Sequence, residues 1–232
     1  MSRGRGPATR ARLPAGAAEA LDALLELLGE PGAPVSTSSS ERASDVHVAD
    51  SLSALDFEQL READRIADLG SGAGLPGLVL AAALPGARVD LIESVARKCE
   101  FARRAIERTG AANAAVVCER SESWARGEGR ERYDAVTARA LGRLATVAEL
   151  ASPLLRDGGT LLAWKGRRVP DEEAELARAA PRLAVEPLEV RPVRPYASSR
   201  DRHIHLLRKN GATPNDLPRR PGMAAKRPFG SE

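Results

Sequence analysis

The chain has 232 residues, 43% of them apolar and 29% charged, with a formal net charge of +3. That length allows one α/β domain with a well-buried core, and the composition is ordinary for a soluble globular protein. No run approaches the roughly 20 apolar residues that cross a bilayer, so no membrane partner is expected, and no short apolar stretch with a cleavage site suggests export. Residues 1–16 hold four arginines and no acid, while residues 206–232 hold six basic and two acidic side chains, so the body between them is acidic. Basic ends on an acidic body suggest a polyanionic partner such as nucleic acid, or simply keep the ends solvated.

Residues 1–16 are expected as a disordered basic arm. Leu21, Leu24, Leu25 and Leu28 share one face of a helix over 18–29. "GEPGAPVSTSSS" breaks regular structure, and Ser44 is suited to cap a helix reaching Leu55, so 17–60 reads as an N-terminal helical segment. Strands are predicted at 65–69, 88–92, 114–118, 133–138, 159–164, 184–191 and 203–208, and helices at 76–83, 95–109, 143–155 and 171–179. This alternation predicts an α/β domain over 61–210, a doubly wound, seven-stranded, mostly parallel sheet covered on both faces. No helix separates the last two strands, which predicts an antiparallel pair at one edge. Residues 211–232 contain four prolines and no periodicity and are expected as a basic extended tail that tracks RNA. Cys99 and Cys118 lack C-x-x-C spacing and are expected as separate core residues in a reducing cytosol. His203 and His205 alternate on one strand with no companion ligands, so no metal is expected.

Gly72, Gly74 and Gly77 form G-x-G-x-x-G between a predicted strand and a predicted helix. Glu93 ends the next strand, where a carboxylate can accept from ribose hydroxyls. Asp68 lies at the end of the first strand, beside the loop. In a dinucleotide site its charge would oppose a pyrophosphate at the helix N-terminus. The ammonium of S-adenosylmethionine would instead be attracted, which favours a methyltransferase over a dehydrogenase.

The segments "DLGSGAGLPG", "LIESVARKCEFAR", "YDAVTARAL", "PLLRDGGTLLAWKG", "RHIHLLRK" and "TPNDLPRRPGMAAKRP", with "HVADSL" at 47–52, together resemble the small-subunit ribosomal RNA guanine-N7 methyltransferase family, also called glucose-inhibited division protein B. The resemblance runs over residues 44–228 and implies a class I S-adenosylmethionine-dependent methyltransferase fold. It also implies small-subunit ribosomal RNA, free or in a ribosomal particle, as partner, with S-adenosyl-L-methionine as cofactor. Position by position, it implies cofactor contacts at Gly70 and Leu75 in the loop, Glu93, Ser121 and Glu122 by the adenine, and Arg139 after the fourth strand. The chain departs from the family's longer N-terminal helical region, where "LGEPGAPVSTSSSERAS" stands instead.

Arg139 and Lys165 end predicted strands on the crevice side and are candidate contacts to RNA. No catalytic base stands out, and N7 of guanine needs none: it carries a lone pair and no proton. The expectation is therefore a cytoplasmic, monomeric rRNA methyltransferase that works by alignment. A non-catalytic rRNA-binding assembly factor and an NAD-dependent oxidoreductase remain as alternatives.

Overall fold

The structure is a computed structural model that describes residues 13–35 and 44–231. Most of the arm expected over 1–16 lies outside the described residues, as does the Ser44 side chain expected to cap the second helix. All seven expected strands form: β1 Arg65–Leu69, β2 Arg88–Ile92, β3 Ala114–Val117, β4 Tyr133–Arg139, β5 Leu155–Lys165, β6 Val185–Pro192 and β7 His203–Lys209. They make one sheet in the order β3-β2-β1-β4-β5-β7-β6. Neighbours among β1 to β5 are parallel, and β7 runs antiparallel to both β5 and β6.

The principal helices, numbered in chain order, are α1 Ala17–Leu28, α2 Gly77–Ala83, α3 Ala96–Thr109, α4 Ser121–Trp124, α5 Leu144–Ala151, α6 Pro170–Ala179 and α7 Met223–Lys226. The helix expected from Ser44 to Leu55 is instead a chain of short turns: a π-helical turn Ser44–Ala49, one α turn Asp50–Leu52 and a 3-10 turn Ser53–Asp56. Successive strand residues face opposite sides of a sheet, which sorts the core into two layers. Ile66, Val89, Leu91 and Leu162 pack with α1, α2, α3 and the 44–61 segment. Ala67, Leu69, Ile92, Val136 and Leu161 pack with α5, α6 and the C-terminal segment. Among the described residues no helix is long and apolar enough to cross a membrane.

Two further expectations are corrected. Cys99 in α3 and Cys118 just after β3 are paired in a disulfide, with Cα atoms 5.8 Å apart, because α3 packs against β3. The segment expected as an extended tail folds back on the domain, burying Leu217 and Ala224 and forming α7. Arg219 donates to both oxygens of the buried Glu149 at 2.6 and 2.5 Å, and the Phe229 ring lies against Arg182 and Arg219, 4.6 and 3.9 Å from their guanidinium carbons. A buried carboxylate demands a cation, and the tail's arginine supplies it.

Candidate functional site

The carboxyl ends of parallel strands β1, β2 and β4 open into a cleft at the point where the strand order reverses, the place where open α/β sheets hold ligands. The glycine loop forms its floor. Backbone N–H groups of Gly70 and Ser71 donate to the Ile92 carbonyl at 2.9 and 3.1 Å, tying the loop to the end of β2. Gly70 and Gly72 take φ of +68° and +60°, conformations that favour glycine. Gly77 serves packing: a Cβ there would strike Leu91 and Asp68. Gly74 packs against Leu78 and Leu91 and lines neither cavity described below.

Asp68 does not face the cleft, which corrects the expectation that it meets a ligand's ammonium. It is fully buried; Oδ2 accepts from the Gly77 N–H at 2.9 Å and Oδ1 from the Thr137 hydroxyl at 3.0 Å. The carboxylate therefore satisfies the N-terminus of α2 and bridges β1 to β4. Burial pushes its pKa up to about 6 against those hydrogen bonds.

Glu93 lies where the sequence placed it. At the end of β2 its Oε1 accepts from the N–H groups of Ser94 and Val95 at 2.7 and 2.9 Å, and Oε2 accepts from Gly72 N–H at 3.1 Å. It lines a cavity of about 320 Å³ with Gly70, Ser121, Glu122 and, on the far side, Gly222 and Ala224. The C-terminal segment is thus a wall of this cavity. Glu122 Oε1 accepts from Gly222 N–H at 2.8 Å, and the Thr146 hydroxyl donates to the Ala224 carbonyl at 3.1 Å. Glu122 holds that wall through the same side chain the resemblance assigned to adenine.

A second cavity, about 400 Å³, adjoins the first at Gly70, Lys98 and Ala140. Gly72, Leu75, His47, Asp50, Arg139 and Arg202 line it. Arg139 Nη1 lies 3.1 Å from Asp50 Oδ2, and Arg202 lies 3.7 Å from the same oxygen. Asp50 Oδ1 and Ser71 Oγ are buried with no hydrogen-bond partner among the described residues. The structure brings Gly70, Gly72, Leu75, Glu93, Ser121, Glu122 and Arg139 to the joined cavities and leaves out Asp68, Gly74 and Lys165. Lys165 lines neither cavity: it pairs with Glu172 at 2.7 Å and donates to the Gly142 carbonyl at 2.9 Å, clasping α6 to the loop after β4.

Residues 18–204 match the GidB family, rRNA small subunit methyltransferase G. The chain belongs to this family. It is 44% identical over 188 residues to ribosomal RNA small subunit methyltransferase G of Rubrobacter xylanophilus, covering 79% of this chain and 72% of that one. It is 39% identical over 206 residues to the Thermotoga neapolitana protein of the same name, covering 89% and 88%. Among solved structures, an S-adenosylmethionine-dependent methyltransferase from Aquifex aeolicus superposes with a TM-score of 0.56 at 12% identity, covering 80% of this chain and 96% of that one. Fibrillarin from Aeropyrum pernix, crystallised with natively bound S-adenosylmethionine, gives 0.53 at 19%, covering 68% and 72%. These likenesses show the class I methyltransferase fold. The GidB family match takes in α1, ahead of the segments that carried the resemblance, and stops before the C-terminal wall.

Sequence reasoning missed Asp50 and the wall. Asp50 had a signal. It follows the apolar Val46 by four residues, about one helical turn, and a carboxylate carried inward on that face must find a cation.

Proposed function

We propose that this protein transfers a methyl group from S-adenosyl-L-methionine to N7 of a guanine in small-subunit ribosomal RNA, free or within a ribosomal particle. The observation that carries the reading is the occupancy of the glycine loop's donors by carboxylates. Glu93 takes the Gly72 N–H, and Asp68 takes the Gly77 N–H at the start of α2. Those are the donors a pyrophosphate would use, and two carboxylates there repel it. The distinction from a dinucleotide site therefore survives although Asp68 is turned away.

The residues suit S-adenosylmethionine. Glu93 stands in the first cavity as an acceptor for ribose hydroxyls, and Ser121 and the Gly222–Ala225 wall enclose the space beyond it. Ser71 Oγ, in the glycine loop beside Gly70 on the second cavity, has no hydrogen-bond partner among the described residues. When bound, the cofactor supplies an electrophilic methyl group on a sulfonium centre. The chain must orient a purine against it and keep water out, since N7 has no proton to lose. The second cavity offers room for that base, with Arg139 and Arg202 on its wall. Arg194 and Arg200, in the loop joining β6 to β7, are exposed at the same end of the sheet and suit RNA phosphates. A ribosomal partner implies a cytoplasmic site of action, and we infer that one chain suffices for it.

A two-part assay tests the reading. S-adenosylhomocysteine should raise the melting temperature and NAD should not, and the protein should carry labelled methyl from S-adenosylmethionine into small-subunit particles or their RNA. Stabilisation by NAD alone would make it an oxidoreductase. S-adenosylhomocysteine binding without methyl transfer to either substrate would leave an rRNA-binding assembly factor.

A further inference from the structure

We infer that the Asp50–Arg139 pair reads the Watson–Crick edge of the target guanine, Asp50 accepting from N1–H and N2–H and Arg139 donating to O6. The inference rests on the guanine-N7 reading above. It starts from a chemical oddity: Asp50 is 1% exposed and only one of its carboxylate oxygens is used. Oδ2 takes Arg139, with Arg202 further off, while Oδ1 is buried with no partner among the described residues. A buried, unsatisfied carboxylate oxygen is costly to the fold, and a ligand presenting N–H donors would relieve that cost.

The position favours a substrate base over the cofactor. The cavity that suits adenosine lies over the ends of β2 and β3, where Glu93, Ser121 and Glu122 stand. Asp50 lies over the opposite half. Its backbone carbonyl accepts from the Trp164 indole at the end of β5 at 3.0 Å, its side chain meets Arg139 at the end of β4, and Arg202 precedes β7. It also lines the cavity that runs to Gly70 and Gly72, so a base held by Asp50 can reach toward the glycine loop.

The order of groups fits guanine. Round its edge guanine presents N2–H, N1–H, O6 and then N7, that is donor, donor, acceptor, acceptor. A carboxylate beside a guanidinium offers two acceptors and then donors, matching the first three and leaving N7 for methylation. Adenine presents an acceptor at N1 and a donor at N6, and is mismatched at both. Asp50 must turn Oδ1 toward the cavity to do this, and the Arg139 bond to Oδ2 supplies the pivot.

The test exploits inosine, which keeps N1–H, O6 and N7 and lacks only the N2 amino group. Particles are assembled with guanine or inosine at the methylated position, and kcat/KM is measured for wild type and Asp50→Asn. Calorimetry with S-adenosylhomocysteine is run on both proteins. Arg139 should hold the Asn oxygen, leaving its NH2 facing the donors of the base. Wild type should prefer guanine to inosine by at least 10-fold, and Asp50→Asn should lower kcat/KM on guanine about 100-fold and bring the preference to near unity. Its affinity for S-adenosylhomocysteine should stay within threefold of wild type. A purely structural Asp50 would lower activity on both substrates alike and leave their ratio unchanged, overturning the proposal. So would a tenfold loss of S-adenosylhomocysteine affinity, which would hand Asp50 to the cofactor's amino-acid end. If Asp50→Asn does not fold, the wild-type ratio decides: equal rates on guanine and inosine overturn the proposal while transfer itself, and so the methyltransferase reading, stands.

Discussion

Asp68 shows how a residue can be correctly singled out and wrongly employed. It belongs beside the glycine loop, yet its neighbour two residues back, Ile66, packs toward α2, and strand periodicity turns Asp68 to that same side. The alternation was readable in the sequence; the adjacency to the loop concealed it. Because its pKa is raised from 3.8 to about 6, the folded protein holds this proton more tightly than the unfolded chain. The associated stability is complete below pH 3.8 and is lost as the pH rises through about 6. Asp68→Asn keeps an acceptor for Gly77 and a donor for the Thr137 oxygen and cannot ionise. The unfolding free energy of wild type minus that of the variant should therefore fall by about 2 kcal/mol between pH 4 and pH 7. Urea titrations at a series of pH values measure it, and a constant difference would show that Asp68 ionises without penalty. Glu93, by contrast, was legible from its spacing alone, because the end of the second strand is fixed by topology. Glu93→Gln should weaken S-adenosylhomocysteine binding about 10- to 100-fold by calorimetry, as the amide replaces an ionised acceptor with a donor or a neutral oxygen. An affinity equal to wild type would take the ribose contact away from Glu93.

At the scale of elements, alternating apolar runs and breakers were enough to place all seven strands, since β1, β2, β4, β5 and β7 are largely buried and carry their own hydrophobic signal, and β3 and β6 at the sheet edges are bounded by breakers. The C-terminal segment was not legible. It is rich in proline and arginine and has no period, so composition suggested an extended, solvated end. What orders it lies elsewhere in the chain: Glu149 on α5 for Arg219, Glu122 on α4 for the Gly222 backbone, Thr146 for the Ala224 carbonyl. Long-range partners of this kind leave no local trace in sequence. The segment-level expectation changes accordingly. A chain ending at Pro221 keeps the Arg219–Glu149 pair and loses the cavity wall. It should bind S-adenosylhomocysteine at least 10-fold more weakly than full-length protein, where a free RNA-tracking tail would have left that affinity unchanged. Calorimetry on the two proteins decides, with circular dichroism confirming that the sheet is retained. Equal affinities would mean that the wall closes the cleft without holding the ligand.

For the whole molecule, the carboxyl end of the sheet gathers the groups assigned to the proposed reaction. There is Glu93, the proposed ribose acceptor, a loop whose N–H donors are already taken by carboxylates, and a second cavity holding paired Asp50 and Arg139, while exposed arginines stand at the rim. In the proposed arrangement the division of labour follows the topology: the β2–β3 half is assigned to the cofactor, and the β4–β5–β7 half to the base. Fold class was legible because it depends on pattern. The proposed target atom comes only from the resemblance, because chemistry at N7 calls for no base that a sequence could betray. The most direct test is to incubate the purified protein with S-adenosylmethionine and unmethylated small-subunit particles or RNA, then cleave the RNA at N7-methylguanine by borohydride reduction and aniline. The account predicts one new break, at a single guanine, that depends on both protein and cofactor. Methyl transfer with no such break, or a methyl group found on another atom, would contradict it.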